Sequence, residues 1–411
     1  MVDVAPADPR ATTEPPQSES SPTAVLGTSA TPHFPALDGA RAVAALGVFV
    51  THLGLLSGLI TNHPALGPYL ARLDVGVAVF FVLSGFLLYR PFVAAHFAAA
   101  PGPRLESYAR RRLLRIFPAY WVALVLIAFV LRAPAFEEPH SFVAHLLLLH
   151  AYDGTQVTGG PIQQSWTLTI EIAFYAFVPC WAWLLGRHKR TRAGQVRVEL
   201  VGLALLALAS WGGNVILLLV GVKGSTFSQL GIWLPFRLTD FVPGMLLAVL
   251  SAWFAENPTS APHWLRSGAF TSACWLAGVF AFWFLATQLH LPMFPTYSAR
   301  QAFAVRVFYL LVAVLFLTPA VLGRGSGGVI GAVLANRTMV WLGLVSYGIY
   351  IWHEAWMILY QRWFHEPFLQ AGFLRMGAFS AAATLATAAL SWYLIERPAM
   401  AWGRRPPNPA G

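Results

Sequence analysis

Residues 37–54 read LDGARAVAALGVFVTHLG, an apolar run with an arginine near its start and a histidine eleven residues on. In a helix, eleven residues rise about 16 Å and come within about 20° of three full turns. Arg41 and His52 therefore share a face at two depths. With its flanks the run is long enough to cross a bilayer. Ionisable groups inside such a span are expensive and are functional candidates by default. The plainer alternative is a snorkelling arginine plus a histidine hydrogen-bonded within a bundle.

The same apolar character recurs along the chain. Of 411 residues, 57% are hydrophobic and 11% charged, against about 25% charged in a soluble domain. Mean hydropathy is +0.60. An ordinary cytosolic enzyme is excluded. Spans are expected at about 36–59, 73–93, 114–132, 166–186, 199–221, 234–254, 269–289, 303–322, 340–360 and 373–395. The fold class is an all-α integral membrane protein, a bundle of about ten transmembrane helices.

The formal charge of +10 comes from 27 Lys+Arg against 17 Asp+Glu. Basic clusters fall at Arg104, Arg110, Arg111, Arg112 and Arg115, then at Arg187, Lys189, Arg190, Arg192 and Arg197, and finally at Arg397, Arg404 and Arg405. The positive-inside rule places all three on the cytoplasmic side, with both termini cytoplasmic. The charge is then membrane topology, and no nucleic-acid partner is expected. Cys180 and Cys274 lie in apolar runs and read as buried thiols.

Residues 1–34 are rich in Pro, Ser, Thr and Ala and read as a disordered cytoplasmic tail. They lack a basic stretch followed by an apolar core, so the first helix is an uncleaved span. Residues 35–400 form the membrane domain and 401–411 a cytoplasmic C-terminal tail. The stretch SFVAHLLLLHAY (141–152) is apolar but too short to span. It reads as re-entrant or interfacial on the outer side, because a crossing there would invert every later loop.

With this topology, Glu171 in SWTLTIEIAFY (165–175) and His353 in WLGLVSYGIYIWHEAW (341–356) reach a depth similar to His52. A histidine with a carboxylate nearby suits general-base chemistry. The alternative is a structural polar knot. Tyr347, Tyr350 and His353, spaced i, i+3, i+6, mark one helix face, either packing or pocket. Tyr350, Tyr347 and Tyr175 are candidates on the acceptor side. So are Arg237 and Asp240, whose i, i+3 spacing otherwise suggests a local ion pair, and Asp74, which otherwise caps the second span. The run RRRLLRIFP (110–118) either anchors topology or offers guanidinium forks to phosphate oxygens.

Taken in order, these stretches resemble the acyltransferase-3 family of multi-pass membrane O-acyltransferases, from about residue 35 to about residue 400. LDGARAVAALGVFVTH is similar to its first-span signature, GVAVFFVLSGFLLYR (76–90) to its second-span motif, and RRRLLRIFPAYW (110–121) to its arginine motif. SWTLTIEIAFYAFVP (165–179), LGLVSYGIYIWH (342–353) and WYLIERP (392–398) resemble later motifs. Two positions depart: Ala78 stands where many members have Asp, and Ile172 where many have a second Glu.

The resemblance implies transfer of an acyl group, often acetyl, from cytoplasmic acyl-CoA to a hydroxyl of a sugar, glycoconjugate or small natural product. It implies an essential role for His52 and donor binding by Arg41, Arg112 and Arg115. Glu171 or His353 is then expected to orient the His52 ring. No bound cofactor or metal is expected, acyl-CoA being a co-substrate. Location in the plasma membrane follows, with no esterase-like extension after the last span. The rival reading is a ten-helix secondary transporter or flippase, which moves its substrate without covalent change.

Overall fold

The computed structural model describes residues 34–130, 139–152, 160–188, 190–294, 296–323 and 329–404. The expected tail at 1–34 lies almost wholly outside them, and so does most of 401–411. The described residues form helices and no strand. A bilayer demands this, because a spanning helix satisfies its own backbone groups internally.

The principal helices, in chain order, are α1 (Pro35–Leu56), α2 (Gly76–Phe97), α3 (Leu105–Val125), the short α4 (Pro139–Leu146), α5 (Trp166–Gly186), α6 (Arg192–Leu219) and α7 (Leu234–Glu256). They continue with α8 (Gly268–Thr287), α9 (Ala299–Leu322), α10 (Arg337–Leu344), α11 (Ser346–Trp363), α12 (Phe373–Ser391) and α13 (Arg397–Gly403). Several starts carry side-chain caps: Thr191 for α6, Ser267 for α8, Asn336 for α10, and a full capping box of Ser298 with Gln301 for α9.

Nine helices among the described residues are long and apolar enough to cross a membrane. The sequence reading expects about ten, and the difference lies at 340–360. That stretch is a broken helix, α10 and α11, interrupted at Val345. His353, Glu354 and Arg362 lower the apolar character of α11, which keeps it out of a count made by composition. The 141–152 stretch forms the eight-residue α4 and a 3₁₀ turn at His150–Tyr152. Eight residues rise about 12 Å, too little to cross. α4 docks on α3 instead, where Tyr120 and Trp121 donate to the carbonyls of His145 (2.8 Å) and Leu146 (2.9 Å).

Burial sorts the bundle into centre and rim. More than half of the apolar stretch of α1, α2 and α7 is enclosed, against 28% for α6 and 22% for α8 and the α12–α13 arm. The rim helices present Leu205, Leu208, Leu276, Val279, Phe280 and Leu374 outward. In water such a coat is a liability; against lipid it costs nothing. At the centre α2 and α7 touch through glycines. Gly85 lies against the backbone of Phe241, and Gly244 against that of Val82, so a Cβ on either would overlap main-chain atoms. Small residues at a crossing let two membrane helices approach closely enough for dispersion contacts, the main attraction available in lipid. Phe174 of α5 stacks on Phe241 there at 3.9 Å between ring centroids.

Candidate functional site

α1 brings Arg41 beside α3 and α5, and three arginines converge. Arg41, Arg112 and Arg115 line a cavity of about 90 Å³, with Glu171, Tyr175 and Tyr350 among the remaining wall residues. Arg41 donates to Asp38 Oδ1 at 2.7 Å. Arg112 lies over the Tyr108 ring, 5.8 Å from its centroid. Arg115 points to the Met400 sulfur, at 3.8 Å. Among the described residues, neither Arg112 nor Arg115 has a carboxylate partner. Three guanidiniums and one carboxylate, that of Glu171, line the cavity; Asp38 pairs with Arg41, and Glu396 acts electrostatically on Arg115 from outside the lining. The cavity is net cationic and suits an anion.

Glu171 sits with these arginines and not with the histidines. Its Oε1 accepts from Tyr175 at 2.7 Å and from Ser84 at 3.1 Å. Tyr175 and Tyr347, expected on the acceptor side, also line this cationic cavity. Tyr347 donates to the Ile116 carbonyl at 2.8 Å.

A larger groove of about 1070 Å³ adjoins the cavity, between the end of α2, the start of α3 and the end of α5. Its walls are mainly apolar, including Phe92, Leu105, Pro179 and Trp183. Arg112 and Tyr175 line both spaces, so they stand where one meets the other.

Further along α1, His52 meets His353 of α11. His52 Nδ1 and His353 Nε2 are 2.7 Å apart, with the rings 7° from parallel. His353 Nδ1 lies 3.0 Å from the Ile349 carbonyl. A carbonyl can only accept, so His353 carries its proton on Nδ1 and offers a lone pair at Nε2. His52 must then donate from Nδ1. That leaves the Nε2 lone pair of neutral His52 free, with no hydrogen-bond partner among the described residues. Tyr350 links the two regions. Its ring lies 6.1 Å from His353, it lines the cationic cavity, and its hydroxyl donates to the Gln164 carbonyl at 3.1 Å.

Asp74 makes no helix cap; it accepts from the Tyr309 hydroxyl and lies within the electrostatic field of His52. Arg237 and Asp240 form the i, i+3 ion pair at 2.9 Å, with Arg237 over the Trp166 ring. Neither lines the cavity. The sequence reading passes over Glu354, which also acts electrostatically on His52. Its signal was present: it follows Tyr350 by four residues, a neighbour on the helix surface. Among the described residues, no group of three His, Cys, Asp or Glu side chains is placed to hold a metal ion.

The family model described as an acyltransferase domain, acyltransferase-3, matches residues 34–396. The peptidoglycan O-acetyltransferase OatA of Listeria monocytogenes is 25% identical over 382 residues, 89% of this chain and 56% of OatA. Nodulation protein 10 of Rhizobium leguminosarum is 25% identical over 359 residues, 79% of this chain and 82% of its own. The chain thus spans little more than half the length of OatA. No solved structure matches it. With that model covering nearly all of the described helices, the chain belongs to the acyltransferase-3 family.

Proposed function

We propose that this membrane protein is an O-acyltransferase that moves an acetyl group from cytoplasmic acetyl-CoA to a hydroxyl of a carbohydrate. One observation carries the reading. A net cationic cavity and a base with an oriented lone pair stand on the same helix, joined by Tyr350. The relatives support acetyl and carbohydrate, since one is named a peptidoglycan O-acetyltransferase.

The basic end of the bundle faces the cytoplasm of the plasma membrane, and both chain termini with it. Phosphates of the donor bind Arg112 and Arg115, with Arg41 next along the path, and the groove admits the rest of the molecule. The thioester arm extends the roughly 16 Å from Arg41 to His52. His52 Nε2 takes the proton of the acceptor hydroxyl. The oxygen attacks the thioester carbonyl, the C–S bond breaks, and the imidazolium returns a proton to the departing thiolate. His353 holds His52 in the tautomer this requires. Glu171, fixed by two hydroxyls, offsets part of the arginines' mutual repulsion.

The test uses sealed membrane vesicles of both orientations, supplied externally with acetyl-labelled acetyl-CoA and a glycoside panel. Label should reach glycosides when the cytoplasmic face is outward and not when it is inward. Glycoside movement across the bilayer with no acetyl product in either orientation would contradict the reading and favour transport.

A further inference from the structure

Glu354 is out of keeping with every other acidic group buried in the bundle. Glu171 accepts from two hydroxyls, and Asp74 from Tyr309. Glu199 accepts from Tyr89, His96 and Gln195. Asp240 holds Arg237, and Glu396 accepts from Ser391. Glu354 has an enclosed Oε2 that accepts from nothing, and among the described residues it is the one carboxylate so placed. A polar group enclosed without a partner is costly, and an acidic one more so. The residue as a whole is only partly covered, and it lies one helical turn after Tyr350, which lines the cationic cavity. It makes no hydrogen bond to His52 or His353, whose ring nitrogens are otherwise engaged or free. Orienting the base is therefore the task of His353. Glu354 does act electrostatically on His52, as Asp74 does. Two acidic side chains thus act on His52, and Asp74 has Arg72 in its own field while Glu354 has no arginine among its electrostatic partners.

We infer that Glu354 is an acceptor-binding residue, its free oxygen accepting the hydroxyl adjacent to the one His52 deprotonates. The acceptor is then an uncharged polyol, a sugar ring with vicinal hydroxyls. An acceptor with its own carboxylate or phosphate beside the reacting hydroxyl is disfavoured by Asp74 and Glu354 together. This rests on the acyl-transfer reading for the reacting hydroxyl, but the binding claim is separable from it. Glu354 stays outside the covalent step: the proton goes to His52, and the glutamate holds the neighbouring hydroxyl in register.

The experiment compares the full-length protein with Glu354→Gln and Glu354→Ala. The probes are methyl β-glucoside, an analogue lacking one of its vicinal hydroxyls, and methyl β-glucuronide. Binding is read by thermal shift without donor, and transfer by label from acetyl-CoA. The wild type should prefer the glucoside to both analogues. Glu354→Ala should raise the acceptor KM about tenfold or more, the loss expected for a hydrogen bond to a charged group. It should also erase the preference over the deoxy analogue, while the donor KM is unchanged. Glu354→Gln, which keeps an accepting oxygen, should retain part of the preference. Unchanged discrimination in Glu354→Ala would overturn the inference. So would a parallel fall in folded yield in both variants, which marks a structural role. Binding that depends on Glu354 with no transfer by the wild type would sustain the inference and overturn the acyl-transfer reading.

Discussion

His52 donates through Nδ1 to Nε2 of His353, 2.7 Å away, because His353 has its own proton committed to the Ile349 carbonyl. The relay runs from a backbone carbonyl through two imidazoles and ends on the free lone pair of His52. α1 supplies the free lone pair and α11 the group that orients it.

His353 should therefore matter for rate and not for donor affinity. His353→Ala removes the acceptor for His52 Nδ1 and lets the ring turn and exchange tautomers. The expected result is a kcat lower by about 10²-fold with the acetyl-CoA KM intact. His353→Gln, which can present an oxygen to Nδ1, should recover part of the rate. Steady-state kinetics on the two variants decide this.

Among the described residues, Arg112 and Arg115 have no carboxylate within ion-pair distance, so replacing them breaks no direct salt bridge. Arg112→Ala with Arg115→Ala should raise the acetyl-CoA KM by about 10-fold to 100-fold, as expected when charge-assisted hydrogen bonds go unmade. The protein should still insert and fold. A KM that stays put while protein level falls would make these arginines topology signals alone.

Tyr175 stands between the groove and the cationic cavity and holds Glu171 at 2.7 Å. Tyr175→Phe keeps the ring and removes that bond. Glu171, then held by Ser84 alone, swings more readily toward the arginines and competes with the donor phosphates. The expected outcome is a donor KM raised by about fivefold, the loss of roughly 1 kcal/mol. The acceptor KM should not change.

The glycine contact between α2 and α7 should set stability. Gly244→Val places a branched side chain against the Val82 backbone. Overpacking of this kind costs about 1–3 kcal/mol or more, because main chain cannot step aside. Thermal denaturation in detergent should show a lower midpoint for this variant, and Gly244→Ala should fall between it and wild type.

Much of this was legible in the sequence, for physical reasons. Helical rise and period put Arg41 and His52 on one face of α1, and an uninterrupted apolar run marks nine of the spans. The apolar stretch at 340–360 was legible as a span, but its break at Val345 was not, although Gly343 lies two residues before it. Arg237 and Asp240 pair as their spacing suggests, because i, i+3 contacts are local. Glu171 illustrates the limit. Depth along a helix is set by rise, but which neighbour a side chain meets is set by rotation and tilt, and these bring it to Tyr175, Ser84 and the arginines. Glu354 was hidden by its neighbour, because His353 already accounted for that turn of helix.

The central claim is that His52 is the base of acyl transfer. The most direct test uses membranes holding wild type or His52→Ala at matched levels, with acetyl-labelled acetyl-CoA and a panel of glycosides. The wild type should place label on a glycoside hydroxyl, and His52→Ala should lower that rate by about 10²-fold to 10⁴-fold. Equal labelling by the two proteins would contradict the account and remove His52 from the chemistry.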